Sequence, residues 1–205
     1  MRRNRLFLTP ITRLRPLCLS ALLAVGTLLS PVARADVQDT LRFTPYRVEV
    51  QAGETLAQAL NRATPVRRWW GKRFHGLATW SLRWAFRWQV LEDGRCGVAE
   101  VLTTLDTDIT LPELLTDDPI LRARFDTYLA ALREHELGHH EIARQAAQRV
   151  DQGLRELPPQ NDCRQLEVRG NHWGQAQLDR AREQEQAYDR DTRYGRTQGA
   201  WLGAD

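Results

Sequence analysis

His135-Glu136-Leu137-Gly138-His139 places two imidazoles four residues apart, with a carboxylate directly after the first. Residues i and i+4 share one face of an α-helix with Cβ atoms about 6 Å apart, so both rings can reach one tetrahedral metal. Glu136 is not a ligand in this arrangement; one position past the first histidine, it reaches a water on the metal and takes its proton. The spacing is that of an HExxH site for Zn2+, with His135 and His139 as expected ligands and Glu136 as expected general base.

The flanking residues put this motif on a core-facing surface. Leu121, Phe125, Tyr128, Leu132, His135, His139, Ile142, Ala146 and Val150 recur at steps of three and four, so the two histidines continue an apolar helical stripe. Buried histidines need polar partners, and packing alone explains two of them beside an acid poorly. Glu134, His140 and Glu141 read as neighbours off that stripe. Asp118-Pro119 predicts the N-cap and first residue of the helix, which runs to roughly Leu154 before Pro158-Pro159 stop it.

Upstream, Trp80, Leu82, Trp84, Phe86, Trp88 and Val90 alternate with Ser81, Arg83, Ala85, Arg87 and Gln89, as in a half-buried strand. After the turn Glu92-Asp93-Gly94-Arg95, the residues Val101, Thr103, Leu105, Thr107, Ile109 and Leu111 line one face of a second run, and the pair reads as an antiparallel hairpin. Tyr46, Val48 and Val50 suggest another strand, and Glu54 to Arg62 a short helix entered from Gly53. Tryptophans at this density can stack on sugars or bases, but at period two Trp80, Trp84 and Trp88 read more simply as one packed face against the long helix. The expected fold is α+β: a small antiparallel sheet packed on the long HExxH helix and a C-terminal helix.

Arg2, Arg3, Arg5, Arg13 and Arg15 precede an apolar stretch from about Leu17 to Val32 that ends in Ala33-Arg34-Ala35, a small-x-small cleavage site. Residues 1–35 read as a secretory signal peptide and 36–205 as one domain, which makes the mature protein periplasmic or secreted with no membrane attachment. Six of the 29 basic residues and none of the 26 acidic ones lie in that segment, so the remainder carries 23 cations against 26 anions, net −3. The basicity of the whole chain therefore belongs to the leader, and no nucleic-acid partner is expected. Cys96 and Cys163 are the two cysteines outside it; in an exported chain they predict one disulfide between the second hairpin strand and the segment after the long helix. Nothing in the sequence sets an oligomeric state.

A tryptophan-rich strand from Trp80, a strand at Cys96, Leu111-Pro112, Leu132 to Ala143 around the HExxH motif, Cys163, and the closing Tyr188-Asp189-Arg190-Asp191-Thr192-Arg193-Tyr194-Gly195 follow in one order. This order resembles a bacterial family described as predicted secreted zinc-dependent proteases and catalogued among domains of unknown function. The resemblance covers nearly all of the mature chain, and the HExxH helix and the YDxxT segment are its most specific parts. It implies an exported zinc-dependent peptidase of zincin-like fold. The family pattern usually has a histidine where this chain has Tyr194.

A catalytic zinc takes a third protein ligand and keeps an open position for water. His140 and Glu141 lie too close in sequence and off the stripe, which leaves the C-terminal segment, where Leu178, Ala181, Glu185, Tyr188 and Thr192 form the expected inward face with Asp189 beside it. Asp189 is the first choice because it sits in the family-like segment. Glu185 is the second, since Glu185 and Asp189 have the ExxxD spacing that resembles gluzincins. Asp191 is the third, since Asp191 to Gly195 resembles the DxxYG of aspzincins. Spacing leaves the three open.

The expected activity is hydrolysis of peptide bonds in a peptide or protein substrate, with a zinc-activated water, Glu136 as base and Tyr194 as a donor to the oxyanion. Two other readings fit the same residues: a non-catalytic periplasmic binding or assembly protein that needs the metal for shape, and a cell-wall peptide hydrolase.

Overall fold

The computed structural model describes residues 37–67, 71 and 73–203. The expected signal peptide, residues 1–35, lies outside the described residues, as do Trp69 and Trp70. The chain folds as β1 (Val37–Glu49), α1 (Leu56–Ala63), β2 (Leu77–Val90), β3 (Cys96–Leu115), α2 (Pro119–Arg155), α3 (Cys163–Thr192) and a 3-10 turn (Arg196–Gln198). Among the described residues no helix is long and apolar enough to cross a membrane.

β2 and β3 form the expected antiparallel hairpin, from Leu77 opposite Thr110 to Val90 opposite Cys96. The sheet is mixed, however, and not antiparallel throughout: its order is β1-β3-β2, and β1 runs parallel to β3, with Val37 opposite Thr103 and Glu49 opposite Leu115. Between β1 and β2 the chain passes through α1, so β1 is free to enter beside β3 in the same direction, which a tight turn forbids. The side of β3 that carries Thr103, Leu105, Thr107, Ile109 and Leu111 is buried, and α2 covers it.

α2 starts where its cap chemistry places it. The Asp118 carboxylate accepts hydrogen bonds from Ile120 N and Leu121 N, and Pro119 follows at the first helical position. Its buried residues run Phe125, Tyr128, Leu132, His135, Glu136, His139, Ala143, Ala146, Ala147, Val150, Asp151 and Leu154. Large side chains thus seal one end with Val48, Leu56, Leu60 and Leu114. At the other end the alanines let α3 and the sheet approach closely, around Leu82, Leu105 and Ala181. α1 starts two residues later than expected, at Leu56: Thr55 and Gln58 close a capping box, and Glu54 is held outside it by Arg62 at 2.8 Å.

The tryptophan face is shared between the helices. Trp80 and Trp84 pack into the second core cluster, but their indole N–H groups donate to α3, to Glu185 Oε1 at 2.6 Å and Asn171 Oδ1 at 3.1 Å. A Cβ on Gly174 would overlap the Trp84 ring, so glycine there allows the close approach. Trp88 is not part of this face: it lies past a register shift between Arg87 and Trp88, where a bulge adds local twist, and is 46% exposed. Cys96 and Cys163, the first residues of β3 and α3, are joined in a disulfide with Cα atoms 5.1 Å apart, in keeping with an exported chain.

Candidate metal centre

His135, Glu136 and His139 occupy the middle of the α2 stripe and are 4%, 5% and 9% exposed. α3 crosses there with Tyr188 and Asp189. One oxygen of Asp189, Oδ1, lies 3.4 Å from His135 Nε2 and 3.2 Å from His139 Nε2, and one donor atom from each of the three residues lies within 4.8 Å of the other two. Two imidazoles and a carboxylate that converge in this way suit a dication such as zinc.

The outward ring nitrogens are also held. His135 Nδ1 is 3.0 Å from Gln198 Oε1, an acceptor, which turns the ring so that Nε2 faces Asp189. His139 Nδ1 is 3.4 Å from Glu185 Oε1, the same oxygen that accepts from Trp80. Glu185 thus supports His139 and does not join the three converging donors, while Asp191 is exposed beyond them. Glu185 and Asp189 both face α2, Asp189 between the two Nε2 atoms and Glu185 against Nδ1 of His139.

Charge reinforces this arrangement. Burial works against a charged His139, but the carboxylates of Asp189 and Glu185 outweigh it and push its pKa up to about 9. Burial likewise opposes ionisation of Asp189, and hydrogen bonds from both imidazoles overcome it and hold the carboxyl well below the usual range. A dication and the shared protons compete for the same lone pairs. Glu136 differs: burial raises its pKa, only partly offset by the two imidazoles, and Ala78 N–H donates to its Oε2 at 2.8 Å. Glu136 is thus a buried carboxylate fixed at one oxygen, with a proton affinity above that of a free carboxylate.

Tyr194 lines the same cleft, past the end of α3, where Arg193 and Tyr194 both have positive φ (52° and 56°). Its ring packs at 5.3 Å on Phe74. His140 points away from the centre, 3.0 Å from Thr107 Oγ1 and 3.6 Å from Asp39, and Glu141 pairs with Arg144, so neither competes for a ligand place. Three residues that sequence reasoning did not assign complete the centre. Gln198 orients His135. Trp80 fixes Glu185. Tyr188 donates its hydroxyl to His135 O at 3.2 Å and accepts from Gln198 Nε2 at 3.0 Å. Tyr188 follows Glu185 by three residues on the expected inward face and so carried a signal; Gln198 lies in the 3-10 turn beyond α3 and carried none.

Residues 43–195 match a bacterial family described as bacterial protein of unknown function (DUF922). The match spans well over half of the chain, which therefore belongs to that family. No curated protein and no solved structure matches the chain. The family description names no activity, so any functional reading rests on the site.

Proposed function

We propose that this protein is an exported, zinc-dependent peptidase of zincin-like type. The observation that carries the reading is the convergence of His135, His139 and Asp189 directly beside a buried glutamate on the same helix stripe. His135 Nε2, His139 Nε2 and a carboxylate oxygen of Asp189 would hold the ion, which supplies Lewis acidity toward a water and the scissile carbonyl.

The remaining work falls to the chain. Glu136, with Oε2 fixed by Ala78 N–H, takes the proton of the attacking water at Oε1 and returns it to the leaving nitrogen. Gln198 and Glu185 keep the two imidazoles in one tautomer and orientation. The Tyr188 hydroxyl is engaged by His135 and Gln198, so Tyr194 on the cleft wall is the tyrosine assigned to the developing oxyanion.

Glu136→Gln is the test, with zinc content and peptide-library cleavage measured on the same preparation. Zinc and fold should persist while cleavage falls by about 10²–10⁴. A wild-type protein that holds zinc and cleaves neither peptides nor wall fragments would instead support the non-catalytic binding reading.

A further inference from the structure

The cleft that contains Glu136 is lined by four arginines from three separate stretches of chain: Arg73 ahead of β2, Arg182 on α3, and Arg193 and Arg196 in the turn beyond it. The three acids in the same lining are already engaged. Ala78 N–H holds Glu136, Glu185 sits between Trp80 and His139, and Asp189 sits between the two imidazoles. The chain beyond residue 35 is net acidic, so this concentration of arginine is local.

The state of each guanidinium matters as much as the count. Arg196 lies 3.6 Å over the Trp201 ring and makes no side-chain hydrogen bond or ion pair among the described residues, so its N–H donors remain for a carboxylate. Arg193 makes no side-chain hydrogen bond or ion pair among the described residues, and its backbone is fixed by the left-handed cap of α3. Arg73 donates to Asn61 O at 2.5 Å and Arg182 to the exposed Asp179 at 3.0 Å, which leaves each with spare donors.

We infer that this arginine rim selects peptides with acidic side chains flanking the bond to be cleaved. The inference rests on the peptidase reading for the word "cleaved" and on the rim alone for the charge preference. Arginine forks match carboxylates in a bidentate way, and a cleft with low-dielectric walls focuses the field of its charges. A peptide fits better than a nucleic acid, because the four exposed arginines share one cleft with the buried Glu136 while the chain beyond residue 35 is net acidic.

The test uses the zinc-loaded mature protein with Glu136→Gln and fluorescently labelled peptides of one length whose central residues are flanked by Glu, Gln or Lys. Anisotropy should show the Glu peptide binding tighter than the Lys peptide by on the order of tenfold, with the gap shrinking at high salt. Arg193→Glu and, separately, Arg182→Glu should close that gap with zinc content unchanged. Equal binding of the three peptides, a gap that survives both reversals, or a short single-stranded oligonucleotide that competes as well as the Glu peptide would overturn the inference. Cleavage by the wild type, read in parallel, separates the two readings: charge preference without cleavage sinks the peptidase, and cleavage without charge preference sinks the rim.

Discussion

Tyr188 lies flat against His135, with ring centroids 5.1 Å apart and planes 13° from parallel, and it meets His139 edge-on at 5.2 Å. One α3 side chain therefore braces both histidines, and its hydroxyl passes over Gly138, where a Cβ would overlap it. In an exposed helix Gly→Ala stabilises by about 1 kcal/mol. Here the sign should reverse: Gly138→Ala should lower Tm and weaken zinc binding by displacing Tyr188. Gly138→Ala combined with Tyr188→Ala should cost clearly less than the sum of the two single changes, as residues in contact do. Additive losses would show that the brace does not operate.

Much of this was legible in the sequence, for local reasons. Asp118-Pro119 and the stripe around His135 specify α2 by themselves, since cap chemistry and period depend only on neighbours along the chain. The partner of β1 was not legible: Tyr46, Val48 and Val50 mark a strand, but its parallel pairing with β3 is decided by the path through α1. The third donor is intermediate. Glu185 and Asp189 are one helical turn apart and share a face, so spacing nominates both. Only the crossing of α3 over α2 decides that Asp189 meets the Nε2 atoms and Glu185 meets Nδ1 of His139.

The disulfide and the metal centre should be separable. Cys96 and Cys163 close a loop of 67 residues, which constrains the unfolded chain by about 4 kcal/mol. Asp189 lies 26 residues further along α3, a distance of about 40 Å in a helix. Cys163→Ser should accordingly lower Tm in thermal denaturation while zinc stoichiometry at room temperature stays at the wild-type value. Loss of zinc from the folded variant would mean that the distant tie also sets the crossing of α3 over α2.

His75 gives a pH dependence of known sign. Burial lowers its pKa from 6.5 to about 4, and it sits 2.6 Å from the Tyr128 hydroxyl and 3.3 Å from Asn61 Oδ1. Between those two values the unfolded chain binds a proton at this position and the folded chain does not. The His75 contribution is thus fully present above about pH 7 and falls away as pH drops from 6.5 to about 4, by up to about 3 kcal/mol. Denaturant titrations of wild type and His75→Gln, both stripped of metal, should differ by an amount that changes over this window and is flat above it. A difference that grows instead as the pH rises past 7 would rule out a buried neutral imidazole.

The two carboxylates of α3 should give a graded response in metal affinity. Asp189 Oδ1 contacts both Nε2 atoms, so Asp189→Ala removes a donor and should strip zinc under competition with a chelator. Glu185 acts on His139 through Nδ1, so Glu185→Gln should keep the ion but loosen it by about 10–100-fold, the range for partners that orient a ligand. Trp80→Phe, which removes the N–H held by Glu185, should move affinity in the same direction by less. Asp191 is exposed outside the cluster, and Asp191→Ala should leave affinity unchanged. The measurement is zinc affinity by chelator competition, with circular dichroism to confirm that each variant is folded. If Glu185→Gln strips the metal while Asp189→Ala retains it, the assignment of the two carboxylates must be exchanged, and the support for His139 would then have to come from Asp189.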